Sequence, residues 1–182
     1  MPSLISISPF FFTLPIFRAS AILSTLAASF LILKGFWLSA GLAIILSGLF
    51  DLLDGVIARN LGKATIFGSF FDSVMDRYSD LLLLLALSIH YLREGNSGLV
   101  ILISMVAIGT ALIPYARAKA ESLRISCHIG LMERAERIIL LSLGALLNWM
   151  EPVLWILAIL THFTVLQRIY YVWRQLRVND ER

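Results

Sequence analysis

Six long apolar runs, separated by short polar breaks, dominate this 182-residue chain. They lie near residues 14–33, 36–58, 66–92, 98–120, 132–149 and 151–173. A helix needs about 20 mostly apolar residues to cross a bilayer's hydrocarbon, and each run is of that order. The chain is 59% hydrophobic and 15% charged, where a soluble domain would sit near 25% charged. No core of this size absorbs so much apolar surface, so lipid is the solvent the runs fit. In lipid the backbone must satisfy itself within each segment, which makes the runs helices and excludes an open sheet. The expected fold is therefore all-α: one polytopic membrane domain over residues 1–182 with six transmembrane helices. The Phe-rich stretch within residues 1–13 reads either as an interfacial amphipathic segment or as a simple lipid anchor. The N-terminus has no basic region and no small-residue cleavage site, and reads as mature chain rather than signal peptide.

The breaks are Lys34-Gly35, Asn60 to Lys63, Arg93 to Asn96, Glu121 to Gly130 and Glu151-Pro152. An even number of crossings puts both termini on one side. That side collects Arg18, Arg59, Lys63, Arg77, Arg117, Lys119, Arg124, Arg134, Arg137, Arg168, Arg174, Arg177 and Arg182, and the other holds Lys34 and Arg93. The positive-inside rule makes the basic side cytoplasmic, in a multi-pass protein of the cell membrane. The net charge of +3 is too mild to point to nucleic acid. Cys127 is the one cysteine, so no intrachain disulfide forms. His90, His128 and His162 are spaced as no metal set, and Trp37, Trp149, Trp155 and Trp173 fall near span ends as interface anchors do.

The second run ends Asp51-Leu-Leu-Asp54-Gly55-Val-Ile-Ala58-Arg59, and the third begins Gly68-Ser-Phe-Phe-Asp72-Ser-Val-Met-Asp76-Arg77. Asp51 and Asp54 share one helix face, and so do Asp72 and Asp76. A short loop joins the two helices, which makes them expected antiparallel neighbours with their acids facing each other near the cytoplasmic end. An intramembrane carboxylate costs on the order of 3 kcal/mol at mid-helix, so four together need compensation. Hard divalent cations supply it, whereas zinc would call for His or Cys. Gly55 and Gly68 each cost about 1 kcal/mol against alanine inside a helix; with Ala58 they leave a slot beside the acids wide enough for a nucleotide. Each glycine alone also reads as ordinary helix packing. Arg59, next to that slot, suits a phosphate. Asp80 continues the face of Asp76, and is expected to pair with Arg77 or else to support the acids from behind. Intramembrane acids also mark cation carriers, but those need acids near the midplane and broken helices; here the acids lie toward one end, beside glycines and bases.

The run Asp51-x2-Asp54-Gly55-x2-Ala58-Arg59-x8-Gly68-x3-Asp72-x3-Asp76 resembles, at every fixed position, the signature of the CDP-alcohol phosphotransferases. The resemblance implies a six-helix membrane enzyme that moves a lipid phosphate from a CDP-linked donor to an alcohol. It implies that Asp51, Asp54, Asp72 and Asp76 hold a divalent metal, usually magnesium, with manganese as the alternative. It also implies that Asp76 is the general base, that Gly55, Ala58, Arg59 and Gly68 shape the CDP pocket, and that the protein is a homodimer. Family members often carry a Pro-Asn pair ahead of the first helix. This chain has Pro9-Phe10 there, a departure that touches the N-terminal nucleotide contacts and not the metal site.

A second basic group occupies the cytoplasmic halves of the last three runs: Arg117 and Lys119, then Arg134 and Arg137, then Arg168. Such bases converging on one mouth would bind a phosphate, or, taken singly, would neutralise Glu121, Glu133 and Glu136. Glu-Arg-Ala-Glu-Arg ending at Arg137, with Gln167-Arg168, resembles the inositol-phosphate branch of the family, where the matching bases grip the acceptor's phosphate. The expected acceptor is a phosphorylated polyol, inositol 1-phosphate first. Glycerol 3-phosphate and a CDP-inositol donor stay open as alternatives.

Overall fold

The computed structural model describes residues 13–60 and 66–180, with side chains over 20–53 and 66–177. Six helices occupy them: α1 (Thr13–Leu33), α2 (Trp37–Asn60), α3 (Ile66–Arg93), α4 (Ser97–Ser122), α5 (Arg134–Leu146) and α6 (Met150–Asp180). No strand occurs among the described residues. The N-terminal segment, including Phe10, lies outside them.

The helices stop at the breaks Lys34-Gly35, Arg93 to Asn96 and Glu121 to Gly130, but the expected break Glu151-Pro152 lies inside the first turn of α6, and α5 ends instead ahead of Asn148. Gly35 and Gly95 take φ of 75° and 74°, and Asn148 takes 54°. At each of these turns the following N–H reaches back to the last helical turn: Phe36 to the Leu31 carbonyl at 3.0 Å, Asn96 to Tyr91 at 2.9 Å, and Trp149 to Gly144 at 2.8 Å. This is the closure that a left-handed residue after a helix provides. Asn96 also caps the next helix, accepting from Leu99 N at 3.1 Å.

Two spans differ from their expected bounds: the sixth, expected to end at residue 173, continues as α6 to Asp180, and the fifth is short. The fifth run was expected helical over 132–149, but α5 has 13 residues, about 20 Å of helix. It begins at Arg134 because Glu136 Oε2 accepts the Glu133 N–H at 3.0 Å, the reach-back of a capping box. Just before it, Met132 N donates to Thr164 Oγ1 at 3.0 Å and ties the entry to α6.

The helices close into a ring in the order α1, α2, α5, α6, α4, α3 and back to α1. Among the described residues α2 and α3 make no close backbone approach, so they are not the direct neighbours that their short loop implied. Helix α1 packs on both from one side, and α5 reaches α2 from the other. The core holds Ala28, Ile32, Ala40, Ile44, Leu83, Leu87, Ile103, Val106, Leu154 and Leu157. Small polar groups lock pairs of helices: Thr25 and Ser47 share a hydrogen bond of 2.7 Å, and Ser47 Oγ donates to the Ala21 carbonyl at 3.1 Å.

Glycine sets how near α4 comes to α6. A Cβ on Gly109 would lie 2.7 Å from Thr161 Cβ and against its hydroxyl, and Thr161 is fully buried. Gly109→Ala is expected to cost about 1–3 kcal/mol by overpacking, read as a lowered thermal midpoint in detergent; an unchanged midpoint would mean that the two helices slide apart freely.

The outer surface is apolar. Leu23, Phe30, Ile101, Ile159 and Leu166 are each at least half exposed, a distribution that water would penalise as one continuous patch. Helices α4 and α6 are long and apolar enough to cross a membrane, and residues Ser20–Leu33 and Trp37–Leu53 form shorter apolar helices.

Candidate active site

The ring order brings acids from two helices to one cavity. Asp51 on α2 and Asp72 and Asp76 on α3 line a cavity of about 540 Å³, together with Gly48, Ile138, Ser142 and Arg134. Asp51, Asp72 and Asp76 thus face a common space, although the helices carrying them are not adjacent. Asp54, Gly55, Ala58 and Arg59 lie on the last turns of α2, where side chains are outside the described residues. Gly68 sits in the first turn of α3.

Arg134, the first residue of α5, spans the gap. Its Nη2 lies 2.5 Å from Asp51 Oδ2, its Nη1 2.9 Å from Asp76 Oδ1, and its Nε 3.4 Å from Asp80 Oδ1. One guanidinium thus serves three carboxylates, which its fork of donors allows and a lysine could not. The capping of α5 puts the arginine there: the helix starts at the cavity, so its first side chain points in.

The donor set suits a hard cation. Three carboxylates from two helices border the same cavity, with no sulfur or imidazole among them. Asp51 Oδ2 is buried and accepts no hydrogen bond; its approach to Arg134 is a charge contact without hydrogen-bond direction. An ionised oxygen left in that condition has lone pairs for a cation. As placed, no three acid, histidine or cysteine side chains among the described residues stand close enough to grip one ion, and Asp54 is not among them.

Asp80 does not pair with Arg77. It is buried, and it accepts from Arg137 Nη2 at 2.6 Å as well as facing Arg134. Arg77 instead lines a groove of about 750 Å³ between α3 and α4, with Tyr78, Thr110, Tyr115, Arg117 and Glu121.

The five bases expected at one mouth are distributed. Arg134 and Arg137 meet the acids. Arg117 bonds Glu121 at 2.9 Å and His128 at 3.1 Å on the groove side, and Lys119 is exposed on the last turn of α4. Arg168 is 2% exposed and donates to the carbonyls of Ile129 at 2.8 Å and Ile113 at 2.6 Å, with Glu133 at 3.4 Å. Two of the three proposed glutamate partners are therefore real, Glu121 and Glu133, while Glu136 is spent on its own helix cap. Spacing alone missed the role of Asp80, because a local i,i+3 partner was available in Arg77 and the partner used lies 57 residues away.

Comparison with known proteins places this geometry. Residues 1–167 match the family model of the CDP-alcohol phosphatidyltransferases. The archaetidylinositol phosphate synthase of Methanothermobacter thermautotrophicus is 40% identical over 138 residues, 72% of this chain and 68% of that protein. The phosphatidylinositol phosphate synthase of Mycobacteroides abscessus is 33% identical over 168 residues, 88% of this chain and 76% of that one. Among solved structures, the Mycobacterium tuberculosis phosphatidylinositol phosphate synthase with CDP-DAG bound superposes with a TM-score of 0.75 at 27% identity, over 89% of this chain and 94% of that chain. The same enzyme in complex with manganese and citrate gives 0.76 at 26% identity, over 88% and 80%. With the aspartate run intact and the match extending over nearly its whole length, the chain belongs to the CDP-alcohol phosphatidyltransferase family.

Proposed function

We propose that the chain transfers the lipid phosphate of a CDP-linked lipid, CDP-diacylglycerol or CDP-archaeol, to inositol 1-phosphate and releases CMP. One observation carries the choice of acceptor: two arginines of α5 stand directly against the acids, Arg134 on Asp51 and Asp76, and Arg137 on Asp80. A phosphate brought beside the reacting carboxylates meets charge-assisted donors there. An uncharged acceptor such as myo-inositol has no use for them, and serine, with no phosphate, has less. Relatives named archaetidylinositol phosphate synthase or phosphatidylinositol phosphate synthase, 32–40% identical, support the same assignment, and the cation-carrier reading finds no support among the named relatives.

In this reading Asp51, Asp54, Asp72 and Asp76 hold a divalent cation, magnesium or manganese. When bound, it offsets the charge of the donor's pyrophosphate and of the acids themselves. Gly55, Ala58, Arg59 and Gly68 flank the nucleotide. Asp76 accepts the proton of the acceptor hydroxyl. The hydroxyl oxygen bonds to the phosphorus that carries the lipid, the bond from that phosphorus to the CMP oxygen breaks, and CMP leaves with the electron pair. Arg134 and Arg137 fix the acceptor by its phosphate, so most of the rate comes from positioning and charge. Arg117 and Lys119 add positive field at the mouth, and Arg168 holds the loop from which α5 starts.

The same proposal includes one domain, six membrane crossings, both termini and the site on the cytoplasmic face, and a homodimer. The apolar outer surface and the one-sided distribution of arginine and lysine support the topology.

The test is CMP release by purified protein with a CDP-lipid and Mg²⁺ or Mn²⁺, offering inositol 1-phosphate, glycerol 3-phosphate, myo-inositol and serine separately. Release that depends on inositol 1-phosphate and on the cation is expected. Release with glycerol 3-phosphate alone would keep the reaction class and remove the acceptor.

A further inference from the structure

We infer that Asp80, outside the signature, is a positioning residue for acceptor binding: it holds Arg137, and one edge of Arg134, in place for the acceptor's phosphate. This rests on the roles proposed above for the two arginines. Asp80 is 6% exposed and sits one helical turn beyond Asp76, yet it does not line the cavity of the other acids. It gives one oxygen to each arginine: Oδ2 accepts from Arg137 Nη2 at 2.6 Å, and Oδ1 faces Arg134 Nε at 3.4 Å. The backbones of α3 and α5 do not pack on each other, and these contacts, with the Arg134–Asp76 pair, tie the two helices through side chains.

Two facts turn that tie toward a ligand. Arg137 is 4% exposed, and its Nε is buried with no hydrogen-bond partner. A buried guanidinium with one donor anchored and another unspent is completed by a strong acceptor such as a phosphate oxygen; Arg137 does not itself line the cavity of the acids, and Arg134, one turn before it, does. Arg134, for its part, faces Asp51 and Asp76 with its two terminal nitrogens. Asp80 takes the remaining Nε side and keeps the guanidinium between the reacting acids and Arg137. Stability alone does not account for the arrangement, since a buried ion pair exchanged for apolar side chains of like volume is often neutral or stabilising.

The experiment compares wild type with Asp80→Asn and Asp80→Glu in steady-state CMP release, varying the acceptor and the CDP-lipid in turn. Asp80→Asn is expected to raise the acceptor KM about tenfold or more, with the CDP-lipid KM within about twofold of wild type. Asp80→Glu, which keeps the charge but displaces the arginines, should fall between. The rise in melting temperature that inositol 1-phosphate gives to wild type in the absence of CDP-lipid should be lost in Asp80→Asn. A residue that merely stabilised the fold would lower the melting temperature and leave the acceptor KM alone, and that result overturns the inference. Where Asp80→Asn fails to fold, Asp80→Glu decides alone: an acceptor KM equal to wild type overturns it. A wild-type enzyme that uses glycerol 3-phosphate instead overturns only the acceptor reading, and the variants are then compared on that acceptor's KM.

Discussion

Asp76→Asn is expected to lower the rate of CMP release by about a thousandfold, the middle of the range for loss of a general base. Asparagine matches the shape of aspartate, so the side chain stays beside Arg134, which it meets at 2.9 Å. What it loses is the ability to take a proton, together with a negative charge that pairs with Arg134 and that the proposed cation would share; Arg134 keeps Asp51 and Asp80 as partners, and saturating cation separates loss of the base from weakened cation binding. The measurement is single-turnover CMP release with saturating cation and both substrates, beside a melting curve. A rate within about tenfold of wild type would assign the proton to another group, since base catalysis contributes at least about a hundredfold.

Arg168→Met is expected to be the most destabilising of the substitutions considered. The arginine is 2% exposed, and its Nε and Nη1 are taken by the carbonyls of Ile129 and Ile113 at 2.8 and 2.6 Å. Hydrogen bonds to a charged group are worth about 1.5–3 kcal/mol each, so losing both costs roughly 3–6 kcal/mol, and methionine fills most of the volume without replacing a donor. For a chain of this size that corresponds to a fall of about 10 °C in thermal midpoint. The anchor joins α6 to α4 and to the loop ahead of α5, and a loosened loop misplaces Arg134 as well. A midpoint unchanged in the variant would show that Arg168 is not structural, and would return it to the set of phosphate-binding residues.

Most of the helices were legible in the sequence because lipid leaves the backbone no alternative: a long apolar run bounded by Gly35 or Gly95 has to be a helix ending in a left-handed turn, whereas the turn at Asn148 fell inside the expected fifth span. The meeting of Asp51, Asp72 and Asp76 was legible for a similar reason, since helical periodicity fixes which side chains share a face. The order of the ring was not. A short loop constrains the ends of α2 and α3, but it does not decide whether another helix packs between them, and α1 does. The shortness of α5 was half legible. Glu133 and Glu136 have capping-box spacing, but inside a run of apolar residues they read as part of the span. Of the two readings of Asp80, the pairing with Arg77 failed because spacing shows only local partners, while support of the acids from behind fits its contacts with Arg134 and Arg137. Its real partner, Arg137, becomes visible once α5 faces α3 across the ring.

The proposed reaction joins a phosphorylated inositol to a lipid phosphate. Its most direct measurement is the transfer of radiolabel from inositol 1-phosphate into the lipid extract, by purified protein given a CDP-lipid and a divalent cation. Label is expected in a lipid that carries the acceptor's own phosphate as well as the lipid's, with one CMP released per labelled lipid and no label in Asp72→Asn. Label that stays in the aqueous phase while CMP is released with another acceptor would contradict it.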